Sequence, residues 1–329
     1  MKKKVIFILL VMLFCACLLY MQINKQAKNS GIYTGISEKI FFAMGTVVNI
    51  IYDSRDEDKI LEAVLFMDNL SRQIKADEAK LSLSENNIPI ILSIESVNLY
   101  RHAREMYKLS QGRYDPTVIT VSKLYGFPDK EWMLPDNAAL EKAKANTGLG
   151  NIFYNDKYFI KKKDTEIDFS AGSKGYIVDK TAQYMKKMGM KNFIVNAGGD
   201  MYADGLKYGT NSFKVYIEKP GDKQSYLSKI QLRDKAVATS GNYERYFIDK
   251  SGRRITHIFS GSDYEPVNNY QSVSVIADSA EKADMYSTLF FLMEFDEIKK
   301  YCRQLNTPVL LYTLTNNIIK LCGWAEYEY

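Results

Sequence analysis

The chain has only two histidines, His102 and His257. A His-rich metal centre and a multi-histidine relay are therefore excluded. His102 lies between Arg101 and Arg104 in an ordinary helical run and reads as non-catalytic. His257 ends a strand-like stretch and opens His257-Ile258-Phe259-Ser260, downstream of Ala238-Thr239-Ser240-Gly241-Asn242-Tyr243. A lone histidine is more often structural than catalytic, so its role needs further support. Oxygen donors are better represented. In Ala283-Asp284-Met285-Tyr286-Ser287-Thr288, Asp284 and Thr288 are one helical turn apart and share a face. One carboxylate with one hydroxyl suits Mg²⁺, which keeps waters and takes phosphate oxygens as ligands. The alternative is an acidic residue near the positive end of a helix.

Three glycine-bearing segments have anion or ring chemistry within reach. The run from Asp168 through Ala171, Lys174 and Gly175 to Asp179 reads as the end of a strand and the opening of a helix. Free N–H groups there favour anions and Lys174 adds charge, although no Walker pattern is present. A plain strand-to-helix turn is the alternative. Asn196-Ala197-Gly198-Gly199-Asp200 lets a backbone approach a ligand closely, or is simply a hairpin turn. Gly112-Arg113-Tyr114-Asp115-Pro116, followed by Leu124-Tyr125-Gly126-Phe127, could cradle a flat heterocycle, but taken alone it reads first as a turn with core aromatics. Ala43-Met44-Gly45-Thr46 is weaker, since a glycine in a strand pattern usually marks a bulge or a close approach.

The elements that must carry these segments alternate irregularly. Phe41–Tyr52 reads as a strand; Asp56–Arg72 and Glu95–Leu109 carry apolar residues at helical spacing. Asp136 is placed to cap a short helix through Thr147, and Ile152–Tyr154 with Tyr158–Ile160 forms a hairpin. A helix over Gly175–Met188 precedes a strand at Phe193–Asn196. Strands dominate from Phe213 to Ala277, broken by the turn Asp249-Lys250-Ser251-Gly252, and Ala280–Met293 is an apolar helix. This mixture points to an α+β fold and not to a doubly wound sheet.

Composition bounds the rest. Hydrophobic residues are 46% and charged residues 25% of the 329, which excludes global disorder, collagen and a polytopic membrane protein. The net charge is +5, and setting aside Lys2, Lys3 and Lys4 leaves about +2, too little to indicate nucleic acid. Those lysines precede an apolar run from Val5 to Met21, the pattern of a signal or anchor in residues 1–21. Phe14-Cys15-Ala16-Cys17 is similar to a bacterial lipoprotein cleavage site, with lipidation expected at Cys17; an unlipidated signal-anchor is the alternative. Residues 22–37 are polar and read as a tether that reaches roughly 50 Å when extended. Residues 38–329 then form one globular unit. Cys302 and Cys322 lack CxxC spacing and read as buried free thiols, with one disulfide as the alternative.

Each segment is weak alone, but their order is specific. From about Phe41 to Met293 the chain resembles the ApbE family of FAD:protein FMN transferases. The resemblance rests on Met44-Gly45-Thr46, Asp168 with Lys174-Gly175-Tyr176 and Asp179, Asn196 to Asp200, Thr239-Ser240-Gly241 with Tyr243 and Arg245, His257-Ile258, and Ala283-Asp284 with Ser287-Thr288. It implies mixed sheets with packed helices, in two lobes around a flavin pocket. It implies that FAD is the substrate, that FMN is passed to a Thr or Ser of a target protein as a phosphoester, and that AMP leaves. By the same resemblance Met44, Arg113, Tyr114, Asp115, Asp168, Lys174 and Ile258 contact FAD. The Ala171 carbonyl, Asp284, Ser287 and Thr288 ligate Mg²⁺. His257 is the candidate base for the acceptor hydroxyl, with orientation of FAD or of its own loop, or a base at Asp284, as competing roles. The implied acceptor is an exported or membrane-bound redox flavoprotein, which fits an extracytoplasmic, membrane-anchored enzyme. Hydrolysis of FAD to FMN and AMP, or flavin binding without catalysis, are the other outcomes such a chain could have. Phe259-Ser260-Gly261 replaces the family's usual residues after His-Ile, and Tyr125 stands where a tryptophan is usual.

Overall fold

Side chains in a strand point alternately to opposite faces, so a run of consecutive apolar residues needs cover on both sides. The computed structural model describes residues 35–128, 131–243 and 245–329 and supplies both covers. The first half runs β1 (Ile36–Ala43), β2 (Thr46–Asp53), α1 (Ile60–Leu83), α2 (Ile94–Leu109), α3 (Ile119–Ser122), α4 (Asn137–Asn146), β3 (Ile152–Tyr154), β4 (Phe159–Lys161) and α5 (Ser170–Lys187). The second half opens with β5 (Phe193–Ala197), β6 (Asp200–Asp204), β7 (Phe213–Lys219), β8 (Asp222–Leu232) and β9 (Lys235–Gly241). It closes with β10 (Tyr246–Ile248), β11 (Arg254–Thr256), β12 (Tyr270–Ala277), α6 (Ala280–Phe291), α7 (Phe295–Gln304), β13 (Val309–Thr313) and β14 (Ile318–Leu321).

Eight strands form one antiparallel sheet in the order β1-β2-β5-β6-β9-β12-β13-β14. Val195, Ala236, Ala238, Val275 and Leu311 face the helices and join the main core. Their neighbours Ile194, Val237, Ile276 and Leu310 face the other way, onto the β7–β8 ribbon and Trp324. A third, small core of Val121, Tyr125, Phe127, Ala143, Ile255 and Phe259 makes the second lobe. Helix α1 buries Ile60, Ala63, Val64, Met67, Leu70 and Ile74, a stripe at 3.6-residue spacing. Asp136 caps α4 by accepting from the Ala139 N–H at 2.8 Å, as its position in the sequence predicts.

Three expectations change. The single strand expected over Phe41–Tyr52 is a hairpin, because Met44 (φ 57°) and Gly45 (φ 73°) both adopt the left-handed conformation of a tight turn. Methionine is a poor signal for that conformation, which hid the turn. No strand leads into Asp168; β4 ends at Lys161, and α5 opens at Ser170, a turn earlier than its apolar spacing suggests. Cys302 and Cys322 form a disulfide and are not free thiols. The segment with Cys17 and almost all of the tether lie outside the described residues. Among the described residues no helix is long and apolar enough to cross a membrane.

Candidate functional site

Strand register brings the chemistry to one end of the large sheet. The Gly198 N–H donates to the Val47 carbonyl at 3.0 Å, which sets the Gly198-Gly199 turn beside the Met44-Gly45 turn. β6 pairs with β9 through Met201 and Val237, so Asp200 lies at the end where Thr239, Ser240 and Gly241 emerge. Helices α5 and α6 cross above this end. They approach unusually closely at Gly175, where a Cβ would stand 2.2 Å from the Ala280 carbonyl oxygen and 2.8 Å from Asp284 Cβ. That proximity lets the Gly175 N–H donate to Asp284 Oδ2 at 3.0 Å.

Two acidic residues meet there. Asp284 is 5% exposed and Asp200 2% exposed. Burial, then the negative charge of Asp200, pushes the Asp284 carboxyl well above the usual carboxylate range, against the opposing pull of Lys174 and the Gly175 N–H. Lys174 Nζ stands 2.8 Å from Asp200 Oδ2. The contact is an ion pair without hydrogen-bond geometry, so that buried oxygen accepts no hydrogen bond. Hydroxyls complete the group: Ser240 Oγ lies 2.7 Å from Ser287 Oγ and 3.0 Å from Thr288 Oγ1, and Ser287 Oγ donates to the Asp284 carbonyl at 2.9 Å. The Tyr114 hydroxyl donates to the Ala171 carbonyl at 3.0 Å. Burial drives the Tyr114 pKa well up, so the phenol stays a donor.

These donors are all oxygen. Among the described residues there is no group of three or more His, Cys, Asp and Glu side chains able to hold a metal. The set suits a hard cation that keeps waters and does not suit zinc. The hydrogen-bond-poor Asp200 oxygen is the kind of atom such a cation satisfies. The residues therefore fit Mg²⁺.

His257 is half-buried just after β11, with Nδ1 3.2 Å from the Arg245 carbonyl. A carbonyl only accepts, so Nδ1 carries the proton and Nε2 keeps its lone pair. Lost hydration, then the charges of Arg245 and Lys174, push the imidazole down to about 4. It is neutral at physiological pH. Its ring adjoins Phe127, and Tyr125 packs on Phe259 with centroids 5.0 Å apart.

The remaining predicted residues divide between direct and supporting positions. Met44 forms the hairpin tip, and its N–H reaches Asp68 Oδ1 at 3.4 Å. The Arg113 side chain is held by the Glu297 carboxylate, at 2.7 Å through Nη1, while its carbonyl accepts from the Gly261 N–H at 2.8 Å. Asp115 accepts from the Thr117 N–H at 2.8 Å and the Leu149 N–H at 3.3 Å. These two side chains brace the loop. Asp168 caps the Ser170 N–H at 2.6 Å and faces Glu78, which burial and the Asp168 charge push up to about 8. The Ile258 carbonyl is taken by the Val267 N–H at 2.8 Å. Sequence reasoning missed Asp200, Ser240 and Glu78 as members of the site. Asp200 and Ser240 stand inside recognised segments; nothing near Glu78 marks it. Asp179 accepts from the N–H groups of Ala280 at 2.8 Å and Glu281 at 2.9 Å and so caps α6. His102 pairs with Glu281 at 2.6 Å, in keeping with a structural role.

The family model for the ApbE family matches residues 44–311, the span that carries every one of these groups. The chain belongs to the ApbE family. Among its relatives is the FAD:protein FMN transferase of Vibrio cholerae, 29% identical over 304 residues, which cover 86% of this chain and 88% of the relative. That of Salmonella typhimurium is 25% identical over 289 residues, covering 82% and 81%. The crystal structure of the ApbE protein from Thermotoga maritima superimposes with a TM-score of 0.80 at 26% identity, covering 89% of this chain and 99% of that one. The flavin transferase ApbE from Vibrio cholerae gives 0.78 at 24% identity, over 89% and 99%, and shares the fold. The α+β architecture of this ApbE-family chain is thus the one its motifs imply. A cavity of about 500 Å³ at the opposite end of the sheet, lined by Lys235, Asp278, Lys282, Arg303 and the disulfide, includes none of the candidate site residues.

Proposed function

We propose that this chain is a FAD:protein FMN transferase that uses Mg²⁺ and releases AMP. The observation that carries the reading is the oxygen cluster of Asp200, Asp284, Ser287 and Thr288 beside Lys174, with the neutral imidazole of His257 close enough to feel the Lys174 charge. Phosphoryl transfer asks mainly for positioning and for neutralisation of charge. The Ala171 carbonyl, Asp284, Ser287 and Thr288 would hold the cation. Once bound, it supplies neutralisation of the charge that builds on the departing phosphate. Lys174 and the opening of α5 offer positive charge and N–H groups to a pyrophosphate. The Gly112–Pro116 loop, tied to the His257 loop through the Gly261 N–H, walls the flavin side.

In the transfer, the acceptor Thr or Ser oxygen bonds to the phosphorus of the FMN half. The pyrophosphate P–O bond breaks and AMP leaves with the bridging oxygen. The hydroxyl proton passes to Nε2 of His257, which general-base catalysis requires to be unprotonated beforehand. The decisive assay incubates the protein with FAD, Mg²⁺ and a candidate acceptor, and reads acceptor-bound flavin fluorescence on a denaturing gel alongside AMP. Free FMN formed equally with and without acceptor would replace transfer with hydrolysis. Bound FAD with no AMP would replace both with a carrier role.

We also propose that the enzyme works outside the cytoplasm, tethered through a lipid on Cys17 and serving an exported or membrane-bound redox flavoprotein. The Cys302–Cys322 disulfide suits an oxidising compartment. Metabolic labelling with a fatty acid should mark the wild type and not Cys17→Ser; equal labelling would refute lipidation at that residue.

A further inference from the structure

The surface beside His257 is apolar and exposed, and the reaction above assigns it no task. The His257 ring lies 6.4 Å from that of Phe127, which in turn meets Trp132 at 5.8 Å and Phe247 at 6.2 Å, centroid to centroid. Trp132 stacks on Phe247 at 6.1 Å. Trp132, Met133, Leu134 and Ile248 are between 43% and 58% exposed, so the small lobe keeps on its rim the side chains a core would bury. The strip is held in place. The Met133 N–H donates to the Tyr125 carbonyl at 3.2 Å, and Gly126 lies so close that a Cβ there would stand 2.3 Å from the Glu131 carbonyl oxygen. Strand β10 adds unused backbone groups to this rim. It pairs with β11 alone. The His257 N–H donates to the Arg245 carbonyl at 3.2 Å and the Asp249 N–H to the Arg253 carbonyl at 3.0 Å. Hydrogen-bonding residues alternate along an antiparallel pair, so Arg245, Phe247 and Asp249 face β11 while the N–H and C=O groups of Tyr246 and Ile248 turn outward. Among the described residues those outward groups have no hydrogen-bond partner.

We propose that the outer edge of β10 and the apolar strip from Trp132 to Leu134 dock the acceptor protein, as an extended segment that pairs with β10 and carries large apolar side chains next to its Thr or Ser. An extended segment supplies the backbone partners that Tyr246 and Ile248 lack, which is how a free strand edge takes a peptide. Every second side chain of such a segment falls on one face, where exposed rings and aliphatic chains cover it. The edge also leads to the base. Arg245, the residue before β10, holds Nδ1 of His257 through its carbonyl. A chain laid along β10 therefore passes His257, and at ~3.3 Å per residue its reacting hydroxyl lies within about three residues of the paired stretch. This inference rests on the functional reading above and names the partner surface of that same site. If the rings instead wall the flavin, their loss would weaken FAD binding.

The test uses the full-length protein with FAD, Mg²⁺ and two synthetic peptides of equal length, each with one central Thr, flanked by Val and Leu in one and by Asn and Gln in the other. Peptide-bound FMN is read by mass spectrometry. Wild type should label the apolar peptide with a kcat/KM at least about tenfold above the polar one. Ile248→Pro removes an outward N–H without breaking a β10–β11 bond, and Trp132→Ser removes the largest exposed ring. Each should lower kcat/KM for the apolar peptide about tenfold or more, while FAD affinity, read by flavin fluorescence, stays within about twofold. Thermal melting establishes that each variant is folded. If Ile248→Pro does not fold, the apolar peptide N-methylated at alternate residues takes its place and should lose about tenfold in labelling by wild type. Equal labelling of the two peptides overturns the proposal, as does labelling by the folded variants within about twofold of wild type. A loss matched by an equal loss of FAD affinity, or no labelling of either peptide, also overturns it. AMP release and flavin transfer to a whole flavoprotein acceptor, measured separately, show whether the broader functional reading stands in each case.

Discussion

Gly175→Ala is the substitution for which the structure makes the least expected demand. In most helices this change stabilises by about 1 kcal/mol, because alanine has less backbone entropy to lose. Gly175 sits in the body of α5 with ordinary helical geometry, so propensity alone predicts a gain. The close approach reverses the sign. The new methyl would meet the Ala280 carbonyl oxygen at 2.2 Å, where ordinary contact begins at 3.4 Å, and a backbone oxygen cannot rotate away. The two helices must part by about 1 Å. Overpacking of this kind costs about 1–3 kcal/mol. Parting also breaks the 3.0 Å bond from the Gly175 N–H to Asp284 Oδ2, about 1–3 kcal/mol for a buried group left unsatisfied. The net effect centres on a loss of about 3 kcal/mol, read as a melting temperature lower by about 6–12 °C. Asp284 moves with α6, and displacement of about 1 Å in a reacting group costs about 100-fold in rate. The assay is a thermal melt together with flavin transfer at saturating FAD. A melting temperature within about 2 °C of wild type and a turnover within about twofold would refute the reasoning, since the helices would then have accommodated the methyl without moving the carboxylate.

His257→Ala should cut flavin transfer by about 10²–10⁴-fold while leaving the melting temperature near wild type. In wild type the imidazole is active when neutral, so kcat/KM for FAD should rise with pH through about 4 and stay level above it; a limb centred near 6.5 would show an unperturbed histidine and refute the assignment. Reducing the Cys302–Cys322 bridge, whose ends are 20 residues apart, should cost about 3 kcal/mol of stability. Activity at 25 °C should persist, because the bridge lies at the other end of the sheet from Asp284; an unchanged melt after verified reduction would contradict this. Asp179 has a folded-state pKa raised to about 6 by burial, so its ionisation opposes the fold as pH rises from about 4 to about 6. The stability difference between wild type and Asp179→Asn should therefore shift against wild type across that window, and a constant difference by denaturant titration would exclude it.

Local patterns were legible in the chain before any fold was known. Helix α2 follows its apolar spacing, Asp136 caps α4, the Asp249–Gly252 turn joins β10 to β11, and the ordered motifs specify the family. Each depends on interactions between residues near one another in sequence, where period and turn chemistry act directly. The Met44-Gly45 hairpin was not legible, because it needs a left-handed methionine that only the β1–β2 pairing and its neighbours enforce. Nor was the disulfide, since two cysteines far apart carry no information about the distance between their backbones. The site itself is the clearest case. Gly175 and Asp284 are 109 residues apart, yet one bonds the other because α5 and α6 touch where a side chain is missing. Asp200 looked like part of a turn. It became half of an acidic pair only when β6 delivered it beneath α6, within reach of Lys174 on α5. Residue types determine which chemistry is available; burial and the convergence of distant elements decide which groups meet, and with which charge.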